Sequence, residues 1–162
     1  MTDPGKSGRG TLAVMVGAPA AALLLSIVPA FEGMRNDPYL DVVRVRTVCF
    51  GHTGADIETR HYSDAECRAM LEKDLARHAA PVLACTPELK GKPYQTAAAV
   101  SFAYNAGTTA WCTSGMARDF RQGHDREACA GLSKWVYAGG RRVEGLVRRR
   151  TAERALCERG LR

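Results

Sequence analysis

Residues 39–50 read YLDVVRVRTVCF, and the predicted fold class of the chain depends on this stretch. Val, Val, Thr and Cys occupy every second position from 43 to 49 and alternate with Arg44 and Arg46. A two-residue period of this kind is typical of a half-buried strand, and the glycines that follow indicate a loop. We therefore predict a short antiparallel sheet over about residues 38–60.

Helical patterns follow the predicted sheet to the end of the chain. Ser63 and Glu66 form a capping box ahead of apolar residues at helical spacing. A second helical run begins near Pro93 and stops at Gly107, and a last helix is predicted over roughly residues 143–158. A small sheet inserted among helices predicts an α+β fold.

An uncharged stretch precedes the sheet: residues 11–31 read TLAVMVGAPAAALLLSIVPAF. As a helix, it would reach about 31 Å, close to the thickness of a bilayer core. Lys6 lies before it, which predicts a cytoplasmic N-terminus. The stretch is only weakly apolar, so a cleaved signal peptide, a permanent anchor and an anchor that later leaves the bilayer all remain open. We favour the releasable anchor, because cleavage after Ala30 would leave Glu32 in a frayed terminus.

Composition places the chain among folded, exported domains. Its 162 residues suffice for one domain, and its six cysteines indicate an oxidising compartment, with the pairing left open. The net charge of +6 favours anionic partners, and no nucleic-acid recognition motif accompanies it. The spacing of Cys49, His52, His61 and Cys67 is too irregular to predict a zinc site. Arginines dominate the last segment: Arg141, Arg142, Arg148, Arg149, Arg150, Arg154, Arg159 and Arg162.

Two carboxylic acids and a hydroxyl suggest chemistry at a glycosidic bond. Such cleavage needs one protonated acid and one ionised carboxylate. Glu32 directly follows the apolar stretch, where desolvation favours a protonated acid. Asp41 lies at the polar edge of the predicted sheet, and Thr47 shares its strand parity and could hold a water molecule. We predict these three as the catalytic residues.

The sequence resembles glycoside hydrolase family 24, the phage-type lysozymes, and in particular the lambdoid endolysins exported with a signal-anchor-release segment. The family's Glu-x8-Asp-x5-Thr pattern is met by Glu32, Asp41 and Thr47. Matching blocks extend over nearly the whole chain: Gly51–His52–Thr53–Gly54, Ser101 to Gly107, Trp135 with Tyr137 to Gly140, Gly145–Leu146, Arg149–Arg150 and Glu153.

The resemblance implies a lysozyme-like architecture, with an active-site cleft between a sheet lobe and a mainly helical lobe. It implies a muramidase that cuts the β-1,4 bond between N-acetylmuramic acid and N-acetylglucosamine in peptidoglycan. Glu32 would protonate the leaving oxygen, while Asp41 and Thr47 would position or activate the attacking water. The resemblance implies no cofactor and no metal, and we expect a monomer. It favours inversion at the sugar, although the sequence leaves the stereochemical outcome open.

The resemblance also implies a division into a signal-anchor-release segment, residues 1–31, and a catalytic domain, residues 32–162. The chain would wait in the host inner membrane on the periplasmic side, held by residues 11–31, and act in the periplasm after release. Membrane insertion would misplace Glu32, so release would control activity. This anchor has no cysteine, so release would not depend on thiol exchange.

Further residues complete the expected site. We predict His52 and Asn105 as substrate-binding residues, with structural hydrogen bonding as the alternative for each. The C-terminal arginines could contact anionic envelope polymers. Arg44 and Arg46 stand where relatives often have glycine and tryptophan, which leaves the shape of the cleft edge open. The alternative function is a catalytically inactive, membrane-tethered wall-binding protein on the same fold, and the intact Glu32–Asp41–Thr47 set favours the enzyme.

Overall fold

Helices make up most of the chain in the computed structural model, which describes residues 9–162. Within that range there are eight α-helices: α1 (Arg9–Val16), α2 (Ala18–Glu32), α3 (Asp64–Cys85), α4 (Pro93–Ala106), α5 (Thr108–Cys112), α6 (Gly115–Arg121), α7 (Asp125–Gly131) and α8 (Glu144–Arg159). The same range contains five short strands: β1 (Arg35–Leu40), β2 (Arg46–Cys49), β3 (His52–Thr53), β4 (Tyr137–Ala138) and β5 (Arg141–Arg142). The small antiparallel sheet beside the helices confirms the predicted α+β fold.

Helix α4 forms the centre of the core. All nine residues from Gln95 to Ala103 are buried, and α2, α3 and α8 pack against this helix. The alanines at positions 97–99 have small side chains, which let neighbouring helices approach from several sides. A helix that is buried on all sides must be apolar, or its polar side chains must find hydrogen-bond partners within the protein, and α4 meets this condition. The core therefore lies in the helical lobe, with the sheet at its edge.

The apolar N-terminal stretch is broken into two helices and packs within the fold. Gly17 separates α1 from α2 with φ of +85°, a left-handed conformation that favours glycine. Leu12, Leu24 and Val28 have no exposed surface. Among residues 9–162, no helix has both the length and the apolarity to cross a membrane.

The predicted division between residues 31 and 32 falls inside α2, which continues through Glu32. That division stays a prediction, because a boundary in function need not coincide with the end of a helix. The first eight residues of the predicted anchor segment, including Lys6, lie outside the described residues.

The main sheet has the order β1-β2-β3 and is antiparallel throughout. Tyr39 pairs with Thr47, and Leu40 with Arg46. The prediction of strand structure through Asp41–Val45 is wrong, because these residues form the turn between β1 and β2.

Asp41 determines that turn. One of its oxygens, Oδ1, accepts the backbone N–H groups of Val43 at 3.0 Å and Val45 at 2.8 Å. Arg44 takes a positive φ of +63° within the turn. Side-chain-to-backbone bonding by aspartate competes with strand pairing, and here it outweighs the β propensity of the valines.

Three disulfides join the elements. Cys49–Cys67 ties β2 to α3, Cys85–Cys112 ties α3 to α5, and Cys129–Cys157 ties α7 to α8. The expectation of an oxidised chain is therefore met in this structure. Since Cys49 and Cys67 bond to each other, neither is available as a thiolate ligand for a metal.

Candidate active site

Glu32 is the last residue of α2, so the packing of that helix fixes its position. Its side chain is 23% exposed, and Oε1 lies 2.5 Å from Nη1 of Arg149 on α8. The other oxygen, Oε2, lies towards Gly51, 3.4 Å from where a Cβ atom of that residue would stand. One oxygen of the acid is thus held by a cation, and the other faces the loop after β2.

Arg149 is buried, and each of the three nitrogens of its guanidinium donates a hydrogen bond. Nε donates to Oε1 of Glu153 at 3.1 Å, and Nη2 donates to the Ser101 carbonyl at 3.1 Å. The ring of Phe31, the neighbour of Glu32, lies 4.9 Å from the guanidinium carbon. Such a planar, multiply bonded arginine has one well-defined geometry, which it imposes on the Glu32 carboxylate.

Arg150 extends the same network towards the cleft. It donates to Oε2 of Glu153 and to Oδ1 of Asn105, and its Nε donates to the Trp135 carbonyl at 3.1 Å. Burial lowers the pKa of Arg150, against the opposing effect of Glu153. Arg149 and Arg150 are only 4% and 1% exposed, so these two arginines bind within the fold, and the contact of the C-terminal arginines with envelope polymers stays a prediction.

A cavity of about 240 Å³ opens beside Glu32. Of the predicted site residues it brings together Glu32 and Asn105. Tyr104 on its wall donates a hydrogen bond from its hydroxyl to the Phe50 carbonyl at 2.6 Å, and burial raises the pKa of Tyr104 above its usual value. The cavity is lined by Glu32, Gly51, Thr53, Asp74, Arg77, His78, Tyr104 and Asn105.

Asp41 and Thr47 lie on the sheet side. Neither of them belongs to the described residues that line the cavity beside Glu32. Thr47 is 4% exposed, and its hydroxyl donates to the Val45 carbonyl at 3.0 Å. Asp41 was predicted on a strand, and it lies instead in the turn after β1. The catalytic roles of both residues stay predictions.

His52 is buried between two carboxylates. Its Nδ1 lies 2.7 Å from Oδ2 of Asp74, and its Nε2 lies 3.1 Å from Oδ1 of Asp56. The hydrogen bond from His52 lowers the pKa of Asp56. Both ring nitrogens are therefore occupied by the protein, which is the structural hydrogen bonding that was the alternative for this residue. Its substrate contact stays a prediction.

Sequence patterns did not indicate the partner of Glu32. Arg149 is 117 residues away along the chain, so no local spacing could connect the two. The only available signal was the Arg149–Arg150–Glu153 block, in which three ionisable residues share one face of a helix. Asp74, which also lines the cavity, carried no signal as an isolated residue, whereas Tyr104 lies in the matching block from Ser101 to Gly107.

A sheet lobe beside a helical lobe, with a glutamate at a helix end on the wall of a cleft, defines a lysozyme-like enzyme. The phage lysozyme family model matches residues 29–153, and the chain belongs to this family of glycoside hydrolases. Most of the chain, including Glu32 and the α8 arginine network, falls within the matched region.

Known proteins agree with this assignment. The chain is 42% identical over 152 residues to a SAR-endolysin of Bacteriophage PS119, covering 90% of this chain and 89% of that protein. It is 41% identical over 158 residues to the SAR-endolysin of Enterobacteria phage P21, covering 92% and 94%. Among solved structures, the active form of P1 phage endolysin Lyz superimposes with a TM-score of 0.79 at 22% identity, covering 96% of each chain. The muramidase domain of SpmX from Asticaccaulis excentricus gives 0.74 at 24% identity, covering 87% and 95%. These two structures share the fold.

Proposed function

We propose that the chain is an endolysin that hydrolyses the β-1,4 bond between N-acetylmuramic acid and N-acetylglucosamine in peptidoglycan. The observation that carries this proposal is the carboxyl group of Glu32, held on the cleft wall by a buried arginine. Arg149 binds Oε1, so Oε2, which lies towards Gly51 on the cavity lining, is the oxygen that delivers a proton to the leaving glycosidic oxygen. A fixed acid of this kind supplies the general-acid half of glycoside hydrolysis.

Asp41 and Thr47 act on the attacking water in this proposal. The turn backbone holds Oδ1 of Asp41 with two N–H bonds, which fixes the carboxylate and leaves Oδ2 for water or sugar. Thr47 lies on the strand that pairs with β1 immediately before Asp41. Asn105 binds substrate through its amide N–H₂, since its carbonyl oxygen already accepts from Arg150. His52 contributes by holding Asp74 in the cavity wall.

Release of the N-terminal segment controls the site in this proposal. Glu32 ends α2, and Phe31 and Glu32 both contact Arg149. A segment inserted in the bilayer cannot place Glu32 at Arg149, so the acid is absent from the site until α1 and α2 pack against α3 and α4. The chain would therefore wait in the inner membrane, facing the periplasm, and cut the wall as a monomer after release. The names of the SAR-endolysin relatives support this order of events.

The first test is the loss of turbidity of Gram-negative cells stripped of their outer membrane. Glu32→Gln keeps the shape of the side chain but cannot deliver a proton, so we expect lysis to fall at least a hundredfold. Glu88→Gln, at an exposed position, removes the same charge and should retain full lysis. New reducing ends should be muramic acid. Equal lysis by the wild type and Glu32→Gln would support the inactive wall-binding alternative instead.

A further inference from the structure

The turn between β1 and β2 displays an unusual group of exposed side chains. Val42 is completely exposed, Val43 is 72% exposed and Leu40 is 59% exposed. Arg44 and Arg46 are exposed beside them. Large apolar residues grouped in this way on a surface mark an interaction site more often than chance. We call these five residues the turn surface.

The turn is held in shape from within, so the exposure of its side chains is not the result of a loose loop. Asp41 binds the backbone N–H groups of Val43 and Val45, and the backbone N–H of Asp41 donates to the Val45 carbonyl at 3.0 Å. Only Oδ1 of the acid is bound by its own turn, and the apolar and basic side chains around it face solvent.

A cavity of about 540 Å³ lies next to the turn surface and shares Leu40 and Arg46 with it. Its lining also includes Pro38 and Tyr39, which add apolar surface. Leu40 lines the cavity and directly precedes Asp41 in the chain, so the cavity lies beside the turn that carries the acid.

The basic side chains of the cavity lining differ in their partners. Arg60 is held by Glu58 and Glu66, each at 2.9 Å, and His61 lies 3.0 Å from Oδ1 of Asp37. Arg46 donates from Nη2 to the hydroxyl of Thr59, a group with no charge. Its guanidinium has five N–H donors and keeps its full positive charge for a ligand.

We infer that this cavity and the turn surface bind the peptide stem of the substrate, with Arg46 receiving a stem carboxylate. The inference rests on the proposed function, because the stem hangs from the muramic acid whose anomeric carbon would face Asp41. Peptide stems combine carboxylates with alanine methyl groups, which match a guanidinium beside Leu40, Pro38 and Tyr39. A lipid bilayer is the rival occupant of a basic apolar turn, and the stem is favoured because Leu40 and Arg46 line a cavity beside the turn that carries Asp41.

The test compares two forms of one glycan strand: peptidoglycan strands with their stems, and the same strands after an amidase has removed the stems. For each, kcat/KM is measured from new reducing ends, and the ratio of the two values reports stem recognition. We expect Arg46→Gln to lower this ratio about tenfold, as for loss of one charge-assisted hydrogen bond. Arg126→Gln, on the exposed surface of α7, removes the same charge and should leave the ratio unchanged. Thermal unfolding verifies that each variant folds.

Three outcomes separate the possibilities. An unchanged ratio in Arg46→Gln overturns the inference while wild-type cleavage of both strands upholds the proposed function. Cleavage of neither strand by the wild type overturns the proposed function, and the inference with it. If Arg46→Gln and Val42→Gln instead lose binding to vesicles of phosphatidylglycerol, with the ratio unchanged, the turn surface binds membrane and the inference is wrong.

Discussion

Replacing Arg149 with methionine is expected to destabilise the protein by about 3 kcal/mol and to impair the site. Methionine keeps much of the side-chain volume but removes the hydrogen bonds to Glu32, Glu153 and the Ser101 carbonyl. Breaking a buried ion pair by removing one partner costs about 3–5 kcal/mol. We expect the lower end, because Arg150 still pairs with the fully buried Glu153 and Glu32 is partly hydrated.

Urea unfolding followed by circular dichroism measures this loss, and in a chain of this size it corresponds to a fall in Tm of about 10 °C. Arg154→Met is the matched control: it breaks an ion pair of the same helix with Glu158, in which both side chains are 41% exposed. That pair should contribute at most about 1 kcal/mol. At a temperature where both variants are folded, kcat should fall only in Arg149→Met. Equal losses of stability, or an unchanged kcat, would refute the role assigned to Arg149.

Four further predictions concern packing and ionisation. Leu24→Ala should lower the free energy of unfolding in urea by about 2–5 kcal/mol, because Leu24 is fully buried. Leu25→Ala, at a position 37% exposed, should lower it much less. Equal losses would place α2 outside the core. The folded pKa of Tyr104 is raised, so this residue contributes to folding stability below pH 10, and the contribution is lost as the pH rises further. The wild type should therefore lose stability above pH 10 more steeply than Tyr104→Phe. Parallel curves of stability against pH would contradict this. Ser63→Ala should cost about 1 kcal/mol by removing the α3 cap. Glu66, whose pKa is lowered to about 2, stabilises the fold above about pH 4.5, and this stabilisation should fade as the pH drops towards 2. If the wild type and Glu66→Gln lose stability identically between these pH values, Glu66 makes no such contribution.

Local patterns predicted the helices well, because capping and apolar spacing depend on neighbouring residues. The last helix was expected at about residues 143–158 and is observed at Glu144–Arg159. The capping box at Ser63 and Glu66 is present in full. Strand prediction failed at Asp41–Val45, where the alternation of valine and arginine favoured a strand. The deciding interaction was a single aspartate oxygen bound to two backbone N–H groups.

The candidate site was less accessible to sequence reasoning, because its partners are distant along the chain. Glu32 stood out only through the resemblance and its place after an apolar stretch. The guanidinium that holds Glu32 comes from α8, and the side-chain oxygen of Asn105 accepts a hydrogen bond from the neighbouring Arg150. The break of the apolar stretch at Gly17 likewise reflects tertiary packing, since Leu12 and Leu24 are buried on separate helices.

In the proposed mechanism, the enzyme acts only when α2 leaves the membrane and brings Glu32 to Arg149. Ala18, Ala22 and Ser26 lie at four-residue spacing on α2 and are all exposed in the folded enzyme. Leucine at all three positions should leave the folded enzyme intact but hold the segment more firmly in a bilayer.

The measurement is the time of lysis of cells that express this triple variant, compared with the turbidity loss that the purified soluble variant causes. We predict delayed or absent lysis from within, together with wild-type activity of the soluble enzyme on isolated walls. Lysis from within on the wild-type schedule, with the variant shown to remain in the membrane fraction, would contradict control by release of the anchor.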